Sequence, residues 1–185
     1  MSRRKWVGWI AVGVALVLAP LAIADYQLYW QHHGAILSEL QWMPSEDRHP
    51  PAAVSSLIEH HYGVNSIDSL IARRLDSEFY EAAGKRLAPN ISRGIREILF
   101  AKVLQLHLSR EERLALFCHR MMFDGGTGLS AGSDRYYGKS PRELSDLEVA
   151  GLIAADIHPR SSSPFTHPER FEASRRNVLE RTGSR

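Results

Sequence analysis

Nineteen consecutive residues, Trp6 to Ala24, carry no charge. As a helix rising about 1.5 Å per residue they reach about 28 Å, close to the roughly 30 Å hydrocarbon core of a bilayer. Gly8, Gly13 and Pro20 interrupt the run, which a transmembrane helix tolerates. Arg3, Arg4 and Lys5 precede it, so the positive-inside rule puts the N-terminus in the cytoplasm and the body outside. A cleaved signal is the competing reading. Ala22-Ile23-Ala24 has the A-x-A form of a cleavage site, and Ser2-Arg3-Arg4 weakly suggests a twin-arginine signal. Trp6 and Trp9 at one end, with Tyr26, Tyr29 and Trp30 at the other, form the aromatic belts of a retained anchor and favour that reading. The expected organisation is a cytoplasmic tip and anchor over 1–24, a juxtamembrane helix and linker over 25–50, and a helical domain over 51–185. The expected setting is the bacterial inner membrane, crossed once, with the body periplasmic or extracellular.

The basic N-terminus also distorts the net charge of +2. Three of the 23 Lys and Arg precede the apolar run, leaving 20 against 21 Asp and Glu. That balance argues against a general nucleic-acid-binding surface. A single cysteine, Cys118, excludes an internal disulfide and a cysteine zinc site, and its apolar neighbours suggest buried packing. No G-K-[ST] follows the glycine-rich stretch Asp124 to Gly128, so it reads as a tight turn rather than a nucleotide loop. His32-His33 and His60-His61 are adjacent pairs that point to different helix faces, so no shared metal is expected.

The body reads as mostly α. Leu28, Ile36, Leu37 and Leu40 give a loose helical pattern over 25–42, and Met43 to Pro51 reads as a polar linker. Pro51 can open a helix carrying Val54, Leu57 and Ile58. Asn65 or Ser66 can cap the next, with Ile67, Leu70, Ile71, Leu75 and Phe79 on one stripe, and residues 84–90 break it. The strongest helix is expected over 92–108, with Ile95, Ile98, Leu99, Val103 and Leu106 inward, packed on a following helix from 109 to 121. Ser109 with Glu112, Ser145 with Glu148, and Thr166 with Glu169 have the form of capping boxes. No strand pair and no repeat is apparent.

Three stretches carry a family resemblance. RGIREILFAKVLQLHLSREERLALF, from Arg93 to Phe117, resembles an R-K-x-x-E helix followed by an L-S-K-x-x-I-L-x-x-Y-L-N helix. The stretch from Gly125 to Ala154, with Tyr136-Tyr137-Gly138-Lys139, resembles a glycine-rich turn leading to Y-F-G-K and an E-A-x-L-L-A helix. PFTHPERFEASRRNVL, from Pro164 to Leu179, resembles a closing segment with paired arginines. In order and spacing these match the peptidoglycan glycosyltransferases of glycosyltransferase family 51, the transglycosylase domains of bifunctional penicillin-binding proteins and of monofunctional transglycosylases.

The resemblance implies a lysozyme-like helical domain that polymerises lipid II. A glucosamine hydroxyl attacks the muramic-acid anomeric carbon and a lipid diphosphate leaves. Such chemistry needs a carboxylate base and fixed positive charge at the leaving group. The family takes its base from an E-D-x-x-F motif, a second glutamate from R-K-x-x-E, and further cleft residues from a G-G-S-T-x-T-Q-Q segment. On this chain Glu97 matches the second glutamate. The candidate bases are Glu46, in Glu46-Asp47-Arg48-His49, Glu59, if Pro51 to Glu59 is the helix leading into the motif, and Glu97 itself. Arg93, Arg96, Ser66 and Arg175 are the implied substrate-binding residues.

Departures accompany the match. Gly94 stands for the lysine of R-K-x-x-E, Pro50 follows where a phenylalanine is expected, and Phe117-Cys118-His119 replaces Y-L-N. Two functions therefore remain: a glycosyltransferase, active or weakly active, and a non-catalytic relative that binds lipid-linked glycan or another cell-wall synthesis protein. No cofactor or protein metal site is implied, and a divalent cation is left open. The expected partners are the lipid-linked precursor, the membrane and other cell-wall synthesis proteins.

Overall fold

The computed structural model describes residues 15–183 apart from 17, 83–89 and 160, and only the main chain at 90–92. Residues 6–14 and 17 of the expected anchor lie outside this part, as do residues 84–89 of the expected break. Among the described residues no helix is long and apolar enough to cross a membrane.

Helical residues 18–25 run into a π-helical turn, Tyr26–Trp30. Then follow α1 (His33–Trp42), α2 (Ser45–Arg48), α3 (Ala52–Tyr62), α4 (Val64–Ala82), α5 (Asn90–His107) and α6 (Arg110–His119). A two-residue antiparallel pair, β1 (Met122–Phe123) with β2 (Gly126–Thr127), precedes α7 (Leu129–Tyr137), a 3-10 turn (Pro141–Glu143), α8 (Asp146–Ile157) and α9 (Pro168–Gly183). The pair corrects the strand-free expectation. Gly125 and Gly128, both at positive φ, make the reversal that closes it.

The core is continuous. Leu28, Tyr29, Ile36 and Met43 from residues 25–50 belong to the same buried cluster as Ile71, Leu75, Phe100, Leu104, Leu116, Phe117, Leu152 and Ile153. Asp25 pins the entry to the body: its carboxylate lies 2.6 Å from His107 Nε2 and accepts from Trp30 Nε1 at 3.2 Å, while Tyr29 stacks on the His107 ring at 4.1 Å. On α4, Ile67, Ile71 and Leu75 face inward at i, i+4 spacing. Asp68 and Asp76 are buried beside them, and each has a partner. Asp68 accepts from Arg113 Nε at 2.8 Å and Gln105 Nε2 at 2.5 Å, and Asp76 from Arg96 at 2.6 Å. These pairs clamp α4 to α5 and α6, as a buried carboxylate requires.

Two expectations need correction. The segment Met43 to Pro51 is not a bare linker, because it contains α2, whose Asp47 is 1% exposed. On α5 the buried arc is Phe100, Ala101, Val103 and Leu104, whereas Ile95, Ile98 and Leu106 are 56%, 62% and 79% exposed. α5 packs chiefly on α4 rather than on α6. The first two capping boxes form as expected: Ser109 Oγ accepts from Glu112 N at 3.2 Å, and Glu148 Oε2 accepts from Ser145 N at 2.8 Å. The Thr166 hydroxyl instead lies 3.0 Å from His167 Nδ1.

Gly151 marks the closest approach of α8 to its neighbours. A β-carbon there would overlap the Tyr137 hydroxyl and come within 2.9 Å of the Phe171 ring. Helix propensity favours alanine by about 0.5–1 kcal/mol, and overpacking costs about 1–3 kcal/mol. Gly151→Ala is therefore expected to lose stability by about 1–2 kcal/mol in urea unfolding; an unchanged or raised midpoint would show that Tyr137 yields freely. Glu148 gives a pH handle. The hydrogen bond from Lys139 and then the Ser145 amide lower its pKa from 4.5 to about 2. A carboxyl depressed on folding adds stability above its unfolded pKa and loses it as pH falls. Glu148→Gln is thus expected to be less stable than the parent at pH 7, with the gap closing between pH 4.5 and about 2. Parallel unfolding curves across that window check it.

Candidate functional site

A cleft of about 1140 Å³ opens between α4, the start of α5, the end of α6 and the end of α8. Its floor is an ion pair. Asp156, the penultimate residue of α8, accepts two bonds from Arg74 Nη2, at 2.7 and 2.9 Å. It also accepts the Tyr62 hydroxyl at 2.9 Å and the Met122 amide at 2.7 Å. Burial, and then Asp156, push the Tyr62 phenol well above its ordinary pKa. Arg74 also donates to the Arg120 carbonyl at 2.6 Å and stands over the Phe117 ring.

One wall is built around Glu97, which is 9% exposed. Its two oxygens accept from Arg93 Nε at 2.9 Å and Arg73 Nε at 3.2 Å. Both arginines line the cleft, and their terminal nitrogens have no hydrogen-bond partner among the described residues. Arg73 is the freer of the two, its side chain 57% exposed. The opposite wall carries Arg120, clasped by Glu39 at 2.5 and 2.7 Å and by Glu78 at 2.6 Å. Beside it, His119 lies with Nδ1 2.9 Å from the Asp47 carboxylate.

Of the residues singled out in the sequence, the structure brings Arg93 and Glu97 together at this cleft. The others stand elsewhere. Glu46 is 3.6 Å from Arg142 and does not line the cleft. Glu59 is held on both oxygens by Arg110, between α3 and α6. Ser66 is exposed in the first turn of α4. Arg96 pairs with Asp76, covers the Tyr80 ring at 4.4 Å, and borders a separate cavity of about 270 Å³ with His32. Arg175 pairs with Glu172 and packs by Phe171 on α9. Among the described residues no group of three or more His, Cys, Asp or Glu is placed to hold a metal ion. Cys118 is fully buried, which pushes its thiol far above the ordinary range.

Sequence reasoning passed over Arg73, Arg74, Asp156 and Asp47. Arg73-Arg74 is a charged doublet on an otherwise amphipathic helix, a signal that was there to be used. Asp156 gave none, because its partners lie 34 to 94 residues away.

The fold and the cleft define a mostly helical domain with a groove lined by four arginines and four carboxylates. Comparison with known proteins makes this specific. A family model described as "Transglycosylase" matches residues 70–183. Penicillin-binding protein 1C of Escherichia coli is 39% identical over 164 residues, covering 86% of this chain and 19% of that protein. Penicillin-binding protein 1A of Pseudomonas aeruginosa is 28% identical over 137 residues, covering 66% of this chain and 17% of that protein. Penicillin-binding protein 1A of Aquifex aeolicus is 25% identical over 187 residues, covering 88% of this chain and 25% of that protein. The chain belongs to the transglycosylase family, and it spans a quarter or less of the length of these relatives. Arg93, Arg96, Glu97 and Arg175 fall inside the matched segment, whereas Glu46, Glu59 and Ser66 precede it.

The floor pair sets the stability of the site. Removing one partner of a buried ion pair costs about 3–5 kcal/mol, because the other charge is left without compensation. Asp156→Ala is expected to lose about that much in urea unfolding. A loss under about 1 kcal/mol would mean that water takes over the Arg74 fork.

Proposed function

We propose that this domain is a peptidoglycan glycosyltransferase-like protein that binds the lipid-linked disaccharide diphosphate precursor, lipid II, in the cleft of Arg73 and Arg93, with turnover below that of a complete family member. The observation that carries the reading is the Arg73–Glu97–Arg93 bridge. Glu97 engages only the Nε of each guanidinium and fixes its plane. The terminal nitrogens, without a partner among the described residues, offer the planar fork that matches diphosphate oxygens. One carboxylate between two arginines also leaves a net positive charge for a leaving diphosphate. Gly94 removes the lysine that the family motif places beside Arg93, which accounts for a reduced rate.

The proposed setting is the bacterial inner membrane, with a single-pass anchor and the body outside. What supports it is the uncharged run of 6–24 behind Arg3, Arg4 and Lys5, together with exposed Leu16, Leu18, Leu21 and Ile23. A lipid-linked precursor presented at the membrane suits a domain held there. A second reading, a non-catalytic relative that binds the same precursor or another cell-wall synthesis protein, has one observation in its favour: Glu46, Glu59 and Glu97 are each paired with an arginine.

Binding of lipid II to the full chain in detergent micelles tests the proposal. A hydrogen bond to a charged group contributes about 1.5–3 kcal/mol. Arg73→Ala and Arg93→Ala are each expected to weaken binding about tenfold or more. A β-carbon at Gly94 meets nothing within 4 Å, so Gly94→Lys fits and is expected to tighten binding and raise any polymerisation. Parental affinity in both arginine variants would refute the site.

A further inference from the structure

The second cavity, of about 270 Å³, lies where the chain leaves the expected anchor. The π-helical turn Tyr26–Trp30, a rare backbone form that concentrates at functional sites, brings Gln27 and Leu28 to one side, and Gln31 and His32 follow directly. The other side is built by α4 and α5, with Asp76, Tyr80 and Arg96. Its polar groups are incompletely used. Arg96 gives one terminal nitrogen to Asp76 Oδ1 at 2.6 Å and lies over the Tyr80 ring at 4.4 Å. Its Nε is buried without a hydrogen-bond partner among the described residues, a costly state for a charged donor. Asp76 Oδ2 also has no partner among the described residues. His32 stacks on the Phe79 ring at 3.8 Å. Burial, and then the Arg96 charge, lower its pKa, so the ring is neutral at pH 7. Gln27 and Gln31 are exposed at the mouth, each with an amide that donates and accepts.

Two observations define the class of ligand. The first is position. Gln27 lies three residues past the uncharged run that ends at Ala24, about 4.5 Å at the helical rise, and the headgroup layer of a bilayer is roughly 5–7 Å deep on each side of the hydrocarbon core. Gln27 also closes an apolar groove of about 710 Å³ on the preceding helix, lined by Leu16, Pro20 and Ile23. A polar cavity and an apolar groove thus meet at one side chain, as the headgroup and acyl chain of a phospholipid meet at its glycerol. The second observation is charge. Asp76 offsets Arg96, and the other lining groups are neutral, so the cavity has no net charge with which to hold a purely anionic headgroup. A headgroup of both signs finds a partner for each. A primary ammonium donates hydrogen bonds to a carboxylate, which a quaternary ammonium cannot do.

We infer that this cavity binds the phosphoethanolamine headgroup of a bilayer phospholipid, with the phosphate on Arg96 and the two glutamine amides, the primary ammonium on Asp76, and an acyl chain along the groove of Leu16 and Ile23. The inference rests on the anchor reading above and is independent of the precursor cleft. A lipid held in this way joins the helix before the body to the π-helical turn, α4 and α5, and so sets how the domain stands on the membrane.

The test uses the full chain in detergent micelles doped with equal amounts of dioleoyl phosphatidylethanolamine, phosphatidylglycerol and phosphatidylcholine, with retained lipid read by native mass spectrometry. The parent is expected to retain the ethanolamine lipid about fivefold or more over each of the others. Soluble glycerophosphoethanolamine, which has the headgroup without the chains, is expected not to displace it. The double substitution Gln27→Glu, Gln31→Glu adds negative charge at two exposed positions and is expected to cut retention about tenfold. Asp76→Asn keeps an acceptor for Arg96, removes the charge, and is expected to turn the preference towards phosphatidylglycerol. Should that variant lose its melting transition, the glutamine double variant carries the test. Equal retention of the three lipids by the parent, a parental preference for phosphatidylglycerol, parental retention by the folded double variant, or displacement by the soluble headgroup each overturns the inference and leaves the anchor reading standing. A parent that stays in solution without detergent and takes up no lipid overturns both.

Discussion

Asp156 is where the chain is tied together. One carboxylate at the end of α8 takes up the guanidinium of Arg74 from α4, the hydroxyl of Tyr62 from α3 and the amide of Met122 from β1. A well-packed apolar cluster can equal or exceed a buried ion pair in stability. What the pair adds here is direction. Arg74 is drawn inward and donates to the Arg120 carbonyl, which sets the exit of α6 and so the position of His119 and Arg120. Arg73 precedes it by one residue, about 100° around the helix, and is left on the cleft side. A repeated residue type thus divides into a structural arginine and a ligand-facing one, and the division depends on a carboxylate 82 residues away.

The same logic sorts the other charges. Arg120 is saturated by Glu39 and Glu78, Arg96 is engaged by Asp76, Arg110 by Glu59 and Arg113 by Asp68. These pairs link α1, α3, α4, α5 and α6, and they neutralise the arginines that face the interior between those helices. Arg73 and Arg93 differ because they share a single carboxylate. The excess of positive charge is local to that bridge, because Glu39, Glu78, Glu81 and Asp156 line the rest of the cleft beside Arg74 and Arg120.

Local features were readable from the sequence, and distant ones were not. The capping boxes at Ser109 and Ser145 and the Arg93–Glu97 pair depend on spacings of three or four residues, and all three appear in the structure. The mostly helical class and the transglycosylase match were legible because the segment that carries them is continuous. The facing of α5 was not. This helix is apolar at 95, 98, 99, 100, 101, 103, 104 and 106, so two arcs overlap and periodicity alone cannot choose between them. Packing on α4 selects the arc of Phe100 and Leu104 and turns Ile98 and Leu106 outward. Attention to Glu46 obscured its neighbour Asp47. The acidic pair looked like a solvated linker, and only the fold shows that α7 delivers Ser130 and α6 delivers His119 to the second carboxylate.

Glu97 illustrates why a motif residue is not read for its role by identity alone. Its oxygens face two guanidinium groups in a nearly buried position. Its carboxylate is what holds both guanidinium groups at the cleft wall. A carboxylate shared between two guanidinium groups acts on the position of the arginines, whatever its motif suggests. The Asp47–His119 contact is built independently of that bridge, because its anchor is Ser130 on α7 and not the arginine wall.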